Sequence, residues 1–549
     1  MIDGASDADA RFDRAAERWF RDRLALEPEL ATSVGIHDRD HELSSATRDH
    51  VDELADFHRA SIAEMERFGS AELSPDRVLD RDLLIHEGRL HLFELTERRS
   101  WAGASGAAEQ IGDALFPLMS REFAPFADRL ASMAARLEAA PRYLLESRSR
   151  VEAPVHLWIE MDIEATRQLP AFLDAIVAAA RAERVEPALA ERLETVVGAT
   201  RDALAAHDAW LRTEVLPEAS GMWCTGPDAF EEMLGLRALG ASSAEILAVG
   251  EQILADETAA RDAVSAEIDP TLSPHEISHV VKDDHPATFA EALDAYREAM
   301  GRARDFVVEH ELATFPEHDT LRVMETPTFL RHTMPFAAYY EPAKFDPEPT
   351  GTYIVTPPSH REMMREHNYA SISNTSVHEA YPGHHLQLSA AISNPSLVRL
   401  LATSAAEFAE GWAFYCERLM KDLGFDDTPT HRYIQHTDAI WRACRIVLDV
   451  RLHRGEIGVA EAVRYLTRHT GFERAAALAE VKRYTTAPTY QLSYLYGRHL
   501  IDELKTDVQR AMGPAFNLRF FHDRMLYGGT IPVAFARRLF DLSLGGLPS

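Results

Sequence analysis

Apolar residues recur at three- and four-residue intervals through most of this 549-residue chain, a period that suits helices and leaves little room for strands. From residue 9 to about residue 310 the pattern is amphipathic, with Arg, Asp and Glu between the apolar positions, as in RFDRAAERWFRDRLAL and ASMAARLEAAPRYLLESRSRVEA. Ser74-Pro75 and Ser242-Ser243 stand before two such runs and read as helix starts. The character changes over 315–360, where eight of the 28 prolines fall and aromatic and β-branched residues cluster in LRVMETP, AAYYEPA and GTYIVTPP. That stretch predicts a small sheet or hairpin. Helical spacing resumes near 371 and runs to the C-terminus, with interruptions near Pro395, Thr428 and Pro488. The expected architecture is mainly α: a helical N-terminal lobe over 1–314, a β insert and connection over 315–370, and a helical, metal-binding C-terminal lobe over 371–549, joined in one catalytic unit with a cleft between the lobes.

Charge narrows the function. Lys and Arg total 57 against 88 Asp and Glu, a net charge of -31, so a nucleic-acid surface would have to form against the field of the whole molecule. Cys224, Cys416 and Cys444 lie far apart with no CxxC pair, which excludes a disulfide framework and a thiolate zinc site and fits a reducing cytoplasm. No long uncharged apolar run predicts a membrane span, and the first residues lack a secretion signal. Phosphate-loop, GxSxG and GxGxxG patterns are missing, and the acidic pairs Asp283-Asp284 and Asp426-Asp427 lack the flanks of a magnesium-diphosphate site.

The chemistry concentrates in Ser376-Val-His-Glu-Ala-Tyr-Pro-Gly-His-His-Leu-Gln387, where three histidines and a glutamate lie within eight residues. The pattern is close to HExxH, in which two histidines one helical turn apart grip zinc and the Glu faces the attacking water. Here the position of the second histidine is Pro382. On an ideal helix His384 points away from His378, at about 240°, while His385 shares its face but lies about 10.5 Å further along the axis. An undistorted helix therefore cannot assemble the site. Pro382 and Gly383 supply the distortion, and a two-residue bulge brings His384 into register as the preferred second ligand, with His385 the alternative. A third ligand is available downstream in Glu407-Phe-Ala-Glu410-Gly-Trp-Ala-Phe-Tyr-Cys-Glu417: Glu410, 32 residues after His378. Glu407, one turn earlier, is an alternative ligand or an orienting group.

HEAYPGHHLQ together with EFAEGWAFYCERL resembles the signature of a widespread bacterial family known as a domain of unknown function, whose members look like gluzincin-type zinc metallopeptidases. The resemblance extends to PELATSVGIHDRDHELS, PTGTYIVTPP, WRACRIVLDVRLHRGE and EVKRYTTAPTYQLSYLYGR, and so covers nearly the whole chain. It implies a two-lobed gluzincin-like body with a deep central channel. Members of the family usually carry a Pro-Gly pair where this chain has Pro488-Thr489, and a variable residue at Arg498. Tyr494 matches the family's Ser-Tyr position and is expected to bond the tetrahedral intermediate, or else to be a core tyrosine.

The residues themselves lead to the same chemistry: Zn2+ on His378, His384 and Glu410, with Glu379 as general base and then proton donor to the leaving amine. For substrate binding the sequence offers Tyr353, as part of a strand that pairs an extended peptide, and Arg445, Arg483 or Arg498 for a carboxylate, without choosing among them. His453 shares a helix face with Arg445 and Asp449, and is either a substrate group or part of an ion-pair network. The expected function is zinc-dependent hydrolysis of short peptides or peptide-like amides, of carboxypeptidase, dipeptidase or oligopeptidase type, with no nucleic-acid or membrane partner. The alternatives are an enzyme of the same fold acting on a small-molecule amide or biosynthetic intermediate, and a non-catalytic scaffold.

Overall fold

The three- and four-residue apolar spacing is realised as helix. In the computed structural model, which describes residues 7–326, 337–358, 360–401 and 405–540, there are 22 α-helices and one three-stranded sheet. Some helices begin where a side chain satisfies the first free N–H groups, and others open on a proline that has no N–H to satisfy. Ser242 and Glu245 form a capping box at the start of the Ser243–Ile268 helix, and the same device, built on Ser273 and Thr288, opens Pro274–Asp283 and Phe289–Glu309. No helix of the described residues is long and apolar enough to cross a membrane.

The chain divides into two compact units. One contains the described residues up to 223 and the short segment 343–349; the other contains 224–326, 337–342 and the described residues from 350 onward. The division thus falls at 223/224 and not at 314/315, and the helices over 224–312 belong with those that carry His378, His384 and Glu410. The physical reason lies in a pair of long helices, Ser243–Ile268 and Pro429–His453, which pack along one another. Gly250 allows the approach, since a Cβ there would meet Ile446 Cγ2 at 2.6 Å. The 343–349 segment is held in the first unit by Asp346, which accepts from Arg121 Nη2 at 2.5 Å and meets His37 Nε2 at 2.9 Å.

The β insert is a sheet of β1 (Thr320–Glu325), β2 (Ala337–Tyr340) and β3 (Thr350–Val355) in the order β1-β3-β2. β1 runs parallel to β3 and β2 antiparallel, and Tyr353 lies opposite both Val323 and Tyr339. Because β3 is the central strand, its neighbours already use both rows of its backbone groups. The pairing of a substrate with Tyr353-Ile-Val-Thr expected from the sequence is therefore not available.

In the second unit the Ala406–Asp422 helix crosses Leu495–Met512 at a glycine contact. A Cβ on Gly411 would lie 2.4 Å from the carbonyl carbon of Gly497, and one on Gly497 would lie 2.2 Å from the carbonyl oxygen of Glu407. The neighbours are backbone and cannot rotate aside. Replacing Gly411 by Ala gains about 1 kcal/mol of helix propensity but forces the two helices apart. Gly411→Ala should be destabilised by about 1–3 kcal/mol in urea unfolding; a variant as stable as the parent would show that the crossing can widen freely.

Candidate metal centre

Asn368 starts the helix that carries the first histidine, its Oδ1 accepting from Ser371 N at 2.9 Å, and the helix runs over Tyr369–Glu379. It stops there because Pro382 has no N–H and its ring excludes a further turn. Gly383 N then bonds the Val377 carbonyl at 3.1 Å and Leu386 N bonds that of Ala380 at 3.2 Å, so the chain crosses the break in wide turns. A new helix starts at His384. The helix thus ends and restarts, where the sequence predicted a two-residue bulge. Gly383 is required by space: a Cβ there would lie 1.9 Å from the His378 carbonyl oxygen. Trp412 of the EGW motif secures the break, its Nε1 donating to the Pro382 carbonyl at 2.8 Å.

This break brings His378, His384 and Glu410 together, with one ligand atom from each lying within 4.8 Å of the others. Glu410 Oε2 is 3.4 Å from His384 Nε2 and 3.7 Å from His378 Nε2. Two ligand atoms bound tetrahedrally at 2.0–2.2 Å are separated by roughly 3.3–3.6 Å, so the spacing suits a shared cation. Glu410 Oε2 is buried without a hydrogen-bond partner, as a carboxylate oxygen reserved for a metal would be. The local field favours positive charge on His378 and negative charge on Glu410. Burial pushes the Glu410 carboxyl upward, yet His378 and His384 hold it well below the usual carboxylate range. Burial also works against a charged His378, and Glu410 and Glu417 overcome it, carrying its pKa up to about 10. A nitrogen and oxygen set without thiolate suits zinc or another borderline divalent ion.

Behind the three lies a chain of support. Glu417 Oε1 meets His378 Nδ1 at 2.7 Å, which turns Nε2 toward Glu410. Asn374 Nδ2 donates to Glu417 Oε2 and to Asp438 Oδ2, both at 3.0 Å. Tyr490 Oη approaches Glu410 Oε1 at 3.4 Å, and Tyr494 Oη lies 3.5 Å from Tyr490 Oη. Sequence reasoning passed over Glu417, Asn374 and Tyr490. Helical spacing carried a signal for each: Glu417 is seven residues from Glu410, Asn374 four from His378, and Tyr490 four from Tyr494.

Glu379 closes the first helix beside His378 and makes no hydrogen bond or ion pair with the described residues, although its charge is felt around it. Burial, with the negative field of Glu379 added, raises the phenols of Tyr296, Tyr339 and Tyr353 above the ordinary tyrosine range. Burial and Glu410 do the same to Tyr494. All four remain neutral hydroxyls at ordinary pH.

A family profile described as "Bacterial protein of unknown function (DUF885)" matches residues 28–539. The chain belongs to that family. Two solved structures share the DUF885 chain's fold. One, titled a "putative lipoprotein of unknown function" from Shewanella oneidensis, is 21% identical with a TM-score of 0.80, covering 97% of this chain and 100% of its own. The other, titled a "putative lipoprotein" from Colwellia psychrerythraea, is 16% identical with a TM-score of 0.85, covering 97% and 99%. No curated protein matches significantly.

Several sequence candidates in this DUF885 chain lie elsewhere. His385 is fully buried, its Nδ1 3.0 Å from Tyr339 Oη and its Nε2 3.2 Å from Asp319 Oδ1, and it is His384, not His385, that converges with His378 and Glu410. His453 is also fully buried, between the Tyr484 carbonyl at 3.0 Å and Thr225 Oγ1 at 3.2 Å, with Asp449 Oδ1 3.7 Å from its Nε2, and it is not part of the His378, His384 and Glu410 cluster. Arg483 is half-exposed and chelates Glu480 on its own helix. Arg498 pairs with Glu257 at 3.0 Å and lines a polar cavity of about 460 Å³ that none of His378, His384 and Glu410 reaches. Tyr494, by contrast, stands at the cluster. Glu407 is neither ligand nor orienting group. Its carboxylate receives Arg237 Nη2 at 2.5 Å, and Arg237 also bonds the Thr489 carbonyl and Ser493 Oγ, which anchors the turn carrying Tyr490 and Tyr494. Removing one partner of a buried ion pair costs about 3–5 kcal/mol. Glu407→Gln should therefore lower unfolding stability by that order while leaving metal affinity within a few-fold of the parent, measured by competition with a chelating dye. Loss of metal at undiminished stability would restore Glu407 as a ligand.

Proposed function

We propose that this protein is a zinc-dependent hydrolase of peptide or peptide-like amide bonds in short substrates. The observation that carries the reading is the convergence of His378, His384 and Glu410 beside Glu379, a carboxylate with no hydrogen bond or ion pair to the described residues. His378, His384 and Glu410 would hold the zinc, which would supply Lewis acidity toward water and the substrate carbonyl. The rest of the work falls to the chain. Glu379 takes the proton of the attacking water and returns it to the departing amine, a role open to a carboxylate with no hydrogen bond or ion pair to the described residues. Glu417 keeps His378 in one tautomer and one orientation. Tyr490 and Tyr494, held neutral by burial and by Glu410, offer hydroxyl donors where negative charge develops on the substrate.

Short substrates are favoured because the ligands are close to buried: the side chains of His378, His384 and Glu410 are 12%, 13% and 16% exposed. A folded protein cannot bring its backbone to such a site. The three cysteines are free, and we place the protein in the reducing cytoplasm on that account.

Elemental analysis should find about one zinc per chain, as a mononuclear site requires. His378→Ala and His384→Ala should lose it, and His385→Ala should keep it. Glu379→Gln should retain zinc and lose activity by 10²–10⁴-fold, the usual contribution of general acid–base catalysis. Parent-like activity in Glu379→Gln, or native protein without zinc, would overturn the reading.

A further inference from the structure

Most of the guanidinium groups around the candidate centre have their donors committed. Arg445 gives Nε and Nη2 to Gln491 Oε1 at 3.0 and 2.5 Å, Arg237 holds Glu407 and the 489–493 turn, and Arg498 holds Glu257. Arg442 differs. It makes no hydrogen bond with any described residue, and its Nε is buried without a partner. Its ion-pair neighbour Asp438 lies at 3.7 Å, beyond hydrogen-bond reach, and that carboxylate already accepts from Asn374. A guanidinium whose side chain is only 17% exposed gives up much of its hydration, and five N–H donors need an acceptor.

The surroundings fix where that acceptor would sit. The Arg442 Cζ lies 3.8 Å over the Trp441 ring and 5.2 Å from the centre of Phe414, which holds the guanidinium between aromatic rings. Phe414 in turn meets His378 edge-to-face with 5.2 Å between ring centres. Two such steps keep the guanidinium carbon within about 10 Å of the imidazole of the first ligand. The Tyr494 ring centre is 5.9 Å from the same carbon, so Arg442 stands on the side of the centre that presents Tyr490 and Tyr494.

We propose that Arg442 binds the free α-carboxylate of the substrate, and that the protein therefore removes one or two residues from the C-terminus of short peptides. This inference rests on the hydrolase reading above and specifies its substrate. A planar guanidinium takes a carboxylate through two parallel hydrogen bonds of about 2.7–2.9 Å. That contact uses roughly 3 Å of the span, and an extended chain advances about 3.3–3.6 Å per residue, so no more than two residues fit between Arg442 and the scissile bond. None of the three arginines proposed from the sequence meets these conditions: Arg483 is exposed, and Arg445 and Arg498 are already hydrogen-bonded.

The test compares tripeptides having a free C-terminus with the same peptides amidated there, by kcat/KM and by mass analysis of products. The parent enzyme should prefer the free acid by at least about thirty-fold, the low end for truncating one partner of a buried charge pair, and should release one or two residues. Arg442→Ala and Arg442→Gln should bring the free acid down to the rate of the amide, and Arg442→Lys should keep part of the preference; rates on the amide report whether each variant is folded. Calorimetric binding of both peptides to Glu379→Gln protein, with and without the Arg442 changes, reads the carboxylate site without turnover. Equal rates for acid and amide in the parent, or a preference that survives in Arg442→Ala and Arg442→Gln, would overturn the assignment of Arg442 and leave the hydrolase reading intact. If no peptide is cleaved the hydrolase reading fails, and the binding comparison alone decides for or against Arg442.

Discussion

The Pro382 carbonyl, fixed by the buried indole of Trp412 at 2.8 Å, is the contact on which the convergence of His378, His384 and Glu410 depends. Regular helix would separate His378 from His384 by about 240° around the axis. Ending the helix at Glu379 and restarting it at His384 turns the second imidazole toward the first, with ring centres 4.8 Å apart. Such a break leaves backbone groups without helical partners, and a buried carbonyl left unpaired costs about 1–3 kcal/mol. Trp412 removes that cost at Pro382. It can reach because Gly411, its neighbour in sequence, lets the Ala406–Asp422 helix settle directly on Gly497. One helix therefore delivers Glu410 and the group that stabilises the arrangement of the two histidines.

Four glutamates of the same two motifs show how position, not residue type, sets role. Glu410 has a buried, unpartnered oxygen aimed at two imidazoles, and its charged state is favoured by them. Glu417, seven residues along the same face, is spent on the far nitrogen of His378 and on Asn374. Glu407, three residues before Glu410, points to Arg237. Glu379 closes the first helix and makes no hydrogen bond or ion pair with the described residues.

Much of this was legible in the sequence. The helical period, the position of the small sheet and the starts at Ser74 and Ser242 rest on local rules, and the helices over Pro75–Phe93 and Ser243–Ile268 follow them. His378 and Glu410 were legible for a similar reason, each lying in a helical motif with a distinctive neighbour. The order β1-β3-β2 was not, because which strand lies in the middle is decided by pairing across some 30 residues of chain and not by local preference. The unit boundary at 223/224 was hidden for the same reason: only contact between Ser243–Ile268 and Pro429–His453 reveals it. Arg442 escaped notice because the motif WRACRIVLDVRL offers several arginines, and what separates Arg442 from Arg445 is the presence of Gln491, a residue 46 positions from Arg445.

Thr489 ties these observations together. It stands in the left-handed region at φ 67° and is almost wholly buried. A β-branched residue there costs on the order of 1–3 kcal/mol and persists only where its surroundings overdetermine it. Those surroundings are Arg237, which binds the Thr489 carbonyl at 2.5 Å while being held by Glu407. The turn that follows supplies Tyr490 to Glu410 and Tyr494 to the ring system of Arg442 and Arg445. A glutamate that first reads as a spare metal ligand is thus what lets a strained turn hold two hydroxyl donors at the centre. The ion pair works through backbone position and not through coordination, so its effect on chemistry comes by way of where Tyr490 and Tyr494 are placed.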